Sequence, residues 1–149
     1  MKYVHTNIIC KDIDKLSKFY TDVFECVQVG SQTTMSGDWL AKGTGIENAE
    51  AKSVNLQLPG YEKGGPVLEM FQYTETLDIE KSPKANSKGI GHLAFSVANV
   101  QEVVNQALQN GGNKLGELVS QEFKSGTLTY AYVTDSEGNI IEVQNWTPK

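Results

Sequence analysis

Four residues in this chain carry the means for metal chemistry: His5, Glu69, His92 and Glu142. The chain has only two histidines, and each opens a short apolar run, one through residue 10 and the other through residue 97. Each glutamate interrupts an apolar run, Val67-Leu68-Glu69-Met70-Phe71 and Ile140-Ile141-Glu142-Val143. A carboxylate in such a run is costly unless it is paired or bound to a cation. Two imidazoles and two carboxylates leave room for water on an octahedral ion. Imidazole suits Ni, Zn, Co and Fe, and carboxylate extends the choice to Mn. The expected cofactor is therefore one divalent metal ion from that set. Taken singly, a strand histidine is more often structural and a strand glutamate usually faces water; the case for a ligand set rests on position.

The four positions repeat. Moved by 87 residues, His5 falls on His92, and Val4-His5-Thr6-Asn7-Ile8-Ile9-Cys10 lies on Gly91-His92-Leu93-Ala94-Phe95-Ser96-Val97. Asp12 falls on Asn99 and Ile13 on Val100. Moved by 73, Glu69 falls on Glu142; the two offsets differ by 14, so the first half carries about 14 extra residues, placed between Ser36 and Leu58.

Each half must fold so as to hold one histidine and one glutamate. Residues 3–10 and 90–97 read as strands. Asp12 and Asn99 are suited to cap the helices that follow, and Glu102 adds a capping-box spacing. Ile13, Leu16, Phe19, Tyr20 and Val23 recur at helical spacing, as do Val100, Val103, Val104, Ala107 and Leu108. Gly111-Gly112 ends the second helix. Further strands are expected at 25–31, 53–58 and 67–73 in the first half and at 113–117, 127–134 and 139–146 in the second. Asp135-Ser136-Glu137-Gly138-Asn139 is a turn. The expectation is an α+β chain: one domain over 1–149 made of two tandem βαβββ modules, 1–73 and 89–149, joined by a linker over 74–88. Their curved mixed sheet surrounds the metal cleft.

Side chains two apart on a strand share a face. His5 goes with Tyr3, Asn7 and Ile9; Glu69 with Val67, Phe71 and Tyr73; His92 with Ala94 and Ser96; Glu142 with Gln144 and Trp146. A substrate pocket is expected from Asn7, Ile9, Phe71, Tyr73, Ser96, Gln144 and Trp146, aromatic walls with a few polar groups. The opposite face, with Ile8, Cys10, Leu68, Met70, Leu93, Phe95, Val97, Ile141 and Val143, should lie under the helices.

Composition removes other classes. The formal net charge is −5 with no basic stretch, so nucleic acid is not an expected partner. No apolar run approaches a membrane span. Cys10 and Cys26 show no disulfide or C-x-x-C spacing and read as buried, reduced thiols of a cytoplasmic protein. Gly43-Thr44-Gly45 lacks a strand-to-helix setting and reads as a loop. No nucleophile motif accompanies the histidines. The expected partner is a small-molecule substrate.

The segments Val4-His5-Thr6 with Asp12 and Phe19-Tyr20, Leu68-Glu69-Met70-Phe71, Gly89-Ile90-Gly91-His92-Leu93-Ala94-Phe95-Ser96-Val97, Gln109-Asn110-Gly111-Gly112 and Asp135-Ser136-Glu137-Gly138-Asn139-Ile140-Ile141-Glu142 resemble the vicinal oxygen chelate superfamily over nearly the whole chain. That superfamily includes glyoxalase I, extradiol dioxygenases and the bleomycin resistance proteins. Bacterial glyoxalase I is the most similar activity. The resemblance implies metal ligands His5, Glu69, His92 and Glu142, with Glu142, or else Glu69, as the catalytic base of a lyase or isomerase. It also implies a homodimer, with each site built within one chain or across two. A ring-cleaving dioxygenase and a non-catalytic drug-binding protein are the alternatives. Two positions that help bind glutathione in glyoxalase I, an arginine and an asparagine, are Ile9 and Tyr73 here.

Overall fold

The structure, a computed structural model, describes residues 1–61, 64–78 and 84–149. The first half runs β1 (His5–Ile9), α1 (Ile13–Phe24), β2 (Val27–Ser36), α2 (Asp38–Thr44), β3 (Glu50–Gln57) and β4 (Val67–Tyr73). The second runs β5 (Leu93–Ser96), α3 (Val100–Gln109), β6 (Val119–Phe123), β7 (Gly126–Thr134) and β8 (Ile140–Pro148). Each half builds its own four-stranded mixed sheet, in the orders β1-β4-β3-β2 and β5-β8-β7-β6. In both, the first strand runs parallel to the last and the other pairings are antiparallel. The α+β fold of two βαβββ modules is thus the one the repeat requires. The chain forms two compact units, Met1–Thr21 with Glu25–Asp78, and Asp22–Phe24 with the described part of Ile79–Lys149. Part of the expected linker, residues 79–83, lies outside the described residues. No described helix is long and apolar enough to cross a membrane.

The helices start where the caps predict. The Asp12 carboxylate accepts from the Lys15 amide at 2.9 Å, and the Asn99 side-chain oxygen accepts from the Glu102 amide at 3.2 Å. On α1, Ile13, Leu16, Phe19, Tyr20 and Val23 are all buried, each such side chain contributing on the order of 1.5–3 kcal/mol. On α3, which lies over β7 and β8, the buried stripe is Val100, Val104 and Ala107. Leu108 is 44% exposed, so that stripe is narrower than its spacing suggests. Gly111, at φ +91°, takes the left-handed turn that ends α3, and the Gly112 amide closes on the Ala107 carbonyl at 2.9 Å. Of the face opposite the ligands, Ile8, Cys10, Leu68, Met70, Phe95, Ile141 and Val143 are buried, whereas Leu93 and Val97 are only partly covered. Both cysteines are buried, and neither is in a disulfide among the described residues.

Several expected boundaries move. His92 stands just before β5 rather than on it. The strand expected at 25–31 runs Val27–Ser36, bulged between Val29 and Thr33. Residues 113–117 are not a strand. Lys114 makes one isolated bridge to Val133, and the edge strand is Val119–Phe123. Gly116 and the charged neighbours Lys114 and Glu117 lack strand character, while Val119 and Phe123 fall on one face of a register fixed by the turn into Gly126. Gly43 and Thr44 are not loop but the end of α2, and Gly45 at φ +73° is its cap. The segment between Ser36 and Leu58 therefore holds a helix that the second half lacks.

Candidate metal centre

In the first unit, parallel pairing of β1 with β4 sets Asn7 beside Glu69. His5, two residues earlier on the same face, brings Nε2 to 3.5 Å from Glu69 Oε2. The Asn7 amide donates to the same oxygen at 3.1 Å. The imidazole is 44% exposed and the carboxylate 21%, so the pair is open to a ligand from solvent.

The second unit repeats the construction. Pairing of β5 with β8 sets Ala94 beside Glu142, and His92 Nε2 stands 3.1 Å from Glu142 Oε2. Here the supporting donor is Tyr132 on β7, opposite Glu142 in the antiparallel ladder, whose hydroxyl donates to Oε2 at 3.2 Å. Its ring meets the His92 ring edge-on, centroids 5.2 Å apart. Burial raises the Tyr132 hydroxyl above the usual phenol range, and the nearby Glu142 carboxylate and Tyr130 add to the rise. The phenol therefore stays protonated and able to donate. The start of β8 is pinned by Asp135, only 1% exposed, which accepts from the Glu137 and Asn139 amides at 2.9 and 3.0 Å and from the Asn139 side chain at 2.8 Å.

The expected pocket residues divide. Ile9 is 46% exposed on the ligand face of β1. Phe71 and Tyr73 meet edge to face at 6.0 Å, and Tyr73 lines a cavity of about 440 Å³ with Ile46, Asn48, Ala49, Glu50 and Glu75. Ser96 is paired with Gln144, and Gln144 in turn with Tyr130. Trp146 is 44% exposed, its ring 5.9 Å from Phe123 and so close over Gly126 that a Cβ there would meet it at 2.7 Å. A second cavity, of about 330 Å³, has Glu142 in its wall beside Val119, Gln121, Phe123, Leu128, Tyr130 and Tyr132. Apart from Glu142, none of these was singled out from sequence. The period-two run Leu128, Tyr130, Tyr132 on β7 was the available signal.

The donor chemistry fits a divalent ion. Imidazole nitrogen and carboxylate oxygen are donor types that such ions take, and the two stand side by side in each pair, at 3.5 and 3.1 Å. Each carboxylate also has the outer hydrogen bond that metal ligands usually keep. Among the described residues no group of three or more His, Cys, Asp or Glu side chains is gathered closely enough to hold an ion.

The sequence profile of the Glyoxalase/Bleomycin resistance protein/Dioxygenase superfamily matches residues 2–143. The chain belongs to this superfamily. It is 30% identical over 145 residues to the lactoylglutathione lyase of Salmonella typhimurium, covering 96% of this chain and 91% of that protein. It is 29% identical over 147 residues to a probable lactoylglutathione lyase of Vibrio parahaemolyticus, covering 97% and 91%. A glyoxalase family protein from Bacillus cereus shares the fold with a TM-score of 0.81 at 20% identity, over 98% of this chain and 93% of that one. The paired His–Glu sets sit at matched places in the two halves, and the supporting donors, Asn7 and Tyr132, do not.

Proposed function

We propose that this chain is a divalent-metal-dependent lyase or isomerase of the glyoxalase type. It would act on a small carbonyl or enediolate compound that chelates the metal. One observation carries the reading: both imidazoles present Nε2 to a carboxylate Oε2, at 3.5 and 3.1 Å, from equivalent places in two modules. His5, Glu69, His92 and Glu142 would together hold one ion, within one chain or across a homodimer. The ion would supply Lewis-acid polarisation of the substrate oxygen.

Glu142 is the residue assigned to move the proton between adjacent carbons, first as base and then as acid. It borders the 330 Å³ cavity, whose Phe123, Leu128, Tyr130 and Tyr132 would exclude water from the reacting carbons. Glu69, held by Asn7, serves chiefly as ligand. The pairing of Glu69 with His5 repeats that of Glu142 with His92, which favours a four-ligand set over the two-histidine, one-glutamate set of a dioxygenase. Two reduced, buried thiols accord with work in the cytoplasm.

The test is a Glu142→Gln variant, which keeps an oxygen donor and removes the base. In a screen of hemithioacetals of α-ketoaldehydes run at saturating metal, turnover should fall about 10²- to 10⁴-fold. Oxygen uptake with ring cleavage of catechols by the iron-loaded protein would instead establish the dioxygenase.

A further inference from the structure

The two half-sites are alike in their ligands and unlike in what steadies them. In the first unit the donor to the glutamate comes from β1: Asn7, the in-register neighbour of Glu69, reaches Oε2 at 3.1 Å. In the second unit the same place on β5 is Ala94, whose methyl group cannot donate. The donor comes instead from the other side, from Tyr132 on β7 at 3.2 Å. The place equivalent to Tyr132 in the first unit is Asn55, opposite Glu69 on β3. Tyr132 also lies edge-on to His92, so one side chain touches both members of its pair. Its ring walls the cavity that Glu142 borders.

We propose that Tyr132 is a positioning residue: its hydroxyl takes Glu142 Oε2 toward β7 and the aromatic cavity, and its ring holds the His92 imidazole in line with that oxygen. This rests on the metal-dependent reading above. A carboxylate fixed by one directional donor has a defined oxygen to present to the metal and a defined oxygen left for substrate, at no cost of ordering on binding. The module without an asparagine on its first strand supplies that donor from its third.

The experiment uses Ni²⁺ and Co²⁺ as probes on the full chain. Tyr132→Phe keeps the ring against His92 and removes only the hydroxyl. Its melting temperature should stay near that of the parent, its Ni²⁺ affinity should fall about tenfold, and the visible absorption bands of the Co²⁺-loaded protein should shift. Adding Ala94→Asn places a donor where Asn7 stands in the first unit, and this second change should recover most of the lost affinity. A Tyr132→Phe protein that matches the parent in Ni²⁺ affinity and Co²⁺ spectrum overturns the proposal, as does a loss that Ala94→Asn leaves unrepaired. Parent protein that takes up neither ion overturns the metal-dependent reading itself, a distinct result.

Discussion

Asn7 and Glu69 are direct partners across the β1–β4 ladder, and the Asn7 amide donates to Glu69 Oε2, the same oxygen that faces His5. The hydrogen bond spends no charge and fixes which carboxylate oxygen meets the imidazole. Asn7→Ala is predicted to leave the fold intact, because Asn7 is exposed, and to weaken Ni²⁺ binding about tenfold. Equilibrium dialysis against buffered Ni²⁺ measures this; an unchanged affinity would show that the amide merely decorates the pair.

The thiol of Cys26 gives a prediction about alkaline stability. Burial pushes it up from 9.0 to about 12. Above pH 9 the unfolded chain loses this proton while the folded chain keeps it. The contribution is therefore complete below pH 9 and is lost as pH climbs toward 12, by at most about 1.4 kcal/mol per pH unit. Urea unfolding at pH 8 and at pH 10.5 should show a larger fall for the parent than for Cys26→Ala. Equal falls would mean that the thiol titrates alike in both states.

Much of this was legible because the chain states its design twice. A single histidine ahead of a strand says little; His5 and His92 at matched places, each with a glutamate on the last strand of its module, define two pairs. The caps Asp12 and Asn99 and the buried stripe of α1 follow from local chemistry and were read directly. What was not legible depends on partners far along the chain. The edge strand falls at Val119–Phe123 because its register is set by β7 across a turn, not by its own composition. The seven-residue α2 is too short, with Gly43 inside it, to show a helical pattern. Tyr132 looked like any strand residue until the β7–β8 register put it across from Glu142.

A third prediction concerns glutathione. Its carboxylates call for a cation or a fork of donors. Ile9 offers neither on the ligand face, and Tyr73 lines a cavity with Glu50 and Glu75. Losing one charge-assisted contact costs about 1.5–3 kcal/mol, roughly ten- to a hundredfold in binding. Assayed with the methylglyoxal–glutathione hemithioacetal under Ni²⁺ and Zn²⁺, the protein should stay below a kcat/KM of about 10⁵ M⁻¹s⁻¹. Efficient turnover above that level would restore glutathione as the carrier.

Elemental analysis of protein purified without a metal-affinity tag tests whether His5, Glu69, His92 and Glu142 hold one divalent ion, as proposed. Close to one divalent metal per chain is expected, lost in His5→Ala and again in His92→Ala, since ligand loss removes binding energy. Stoichiometric metal retained in both variants, or a metal-free parent that takes up no ion when Ni²⁺, Zn²⁺, Co²⁺, Mn²⁺ and Fe²⁺ are supplied in turn, would contradict it.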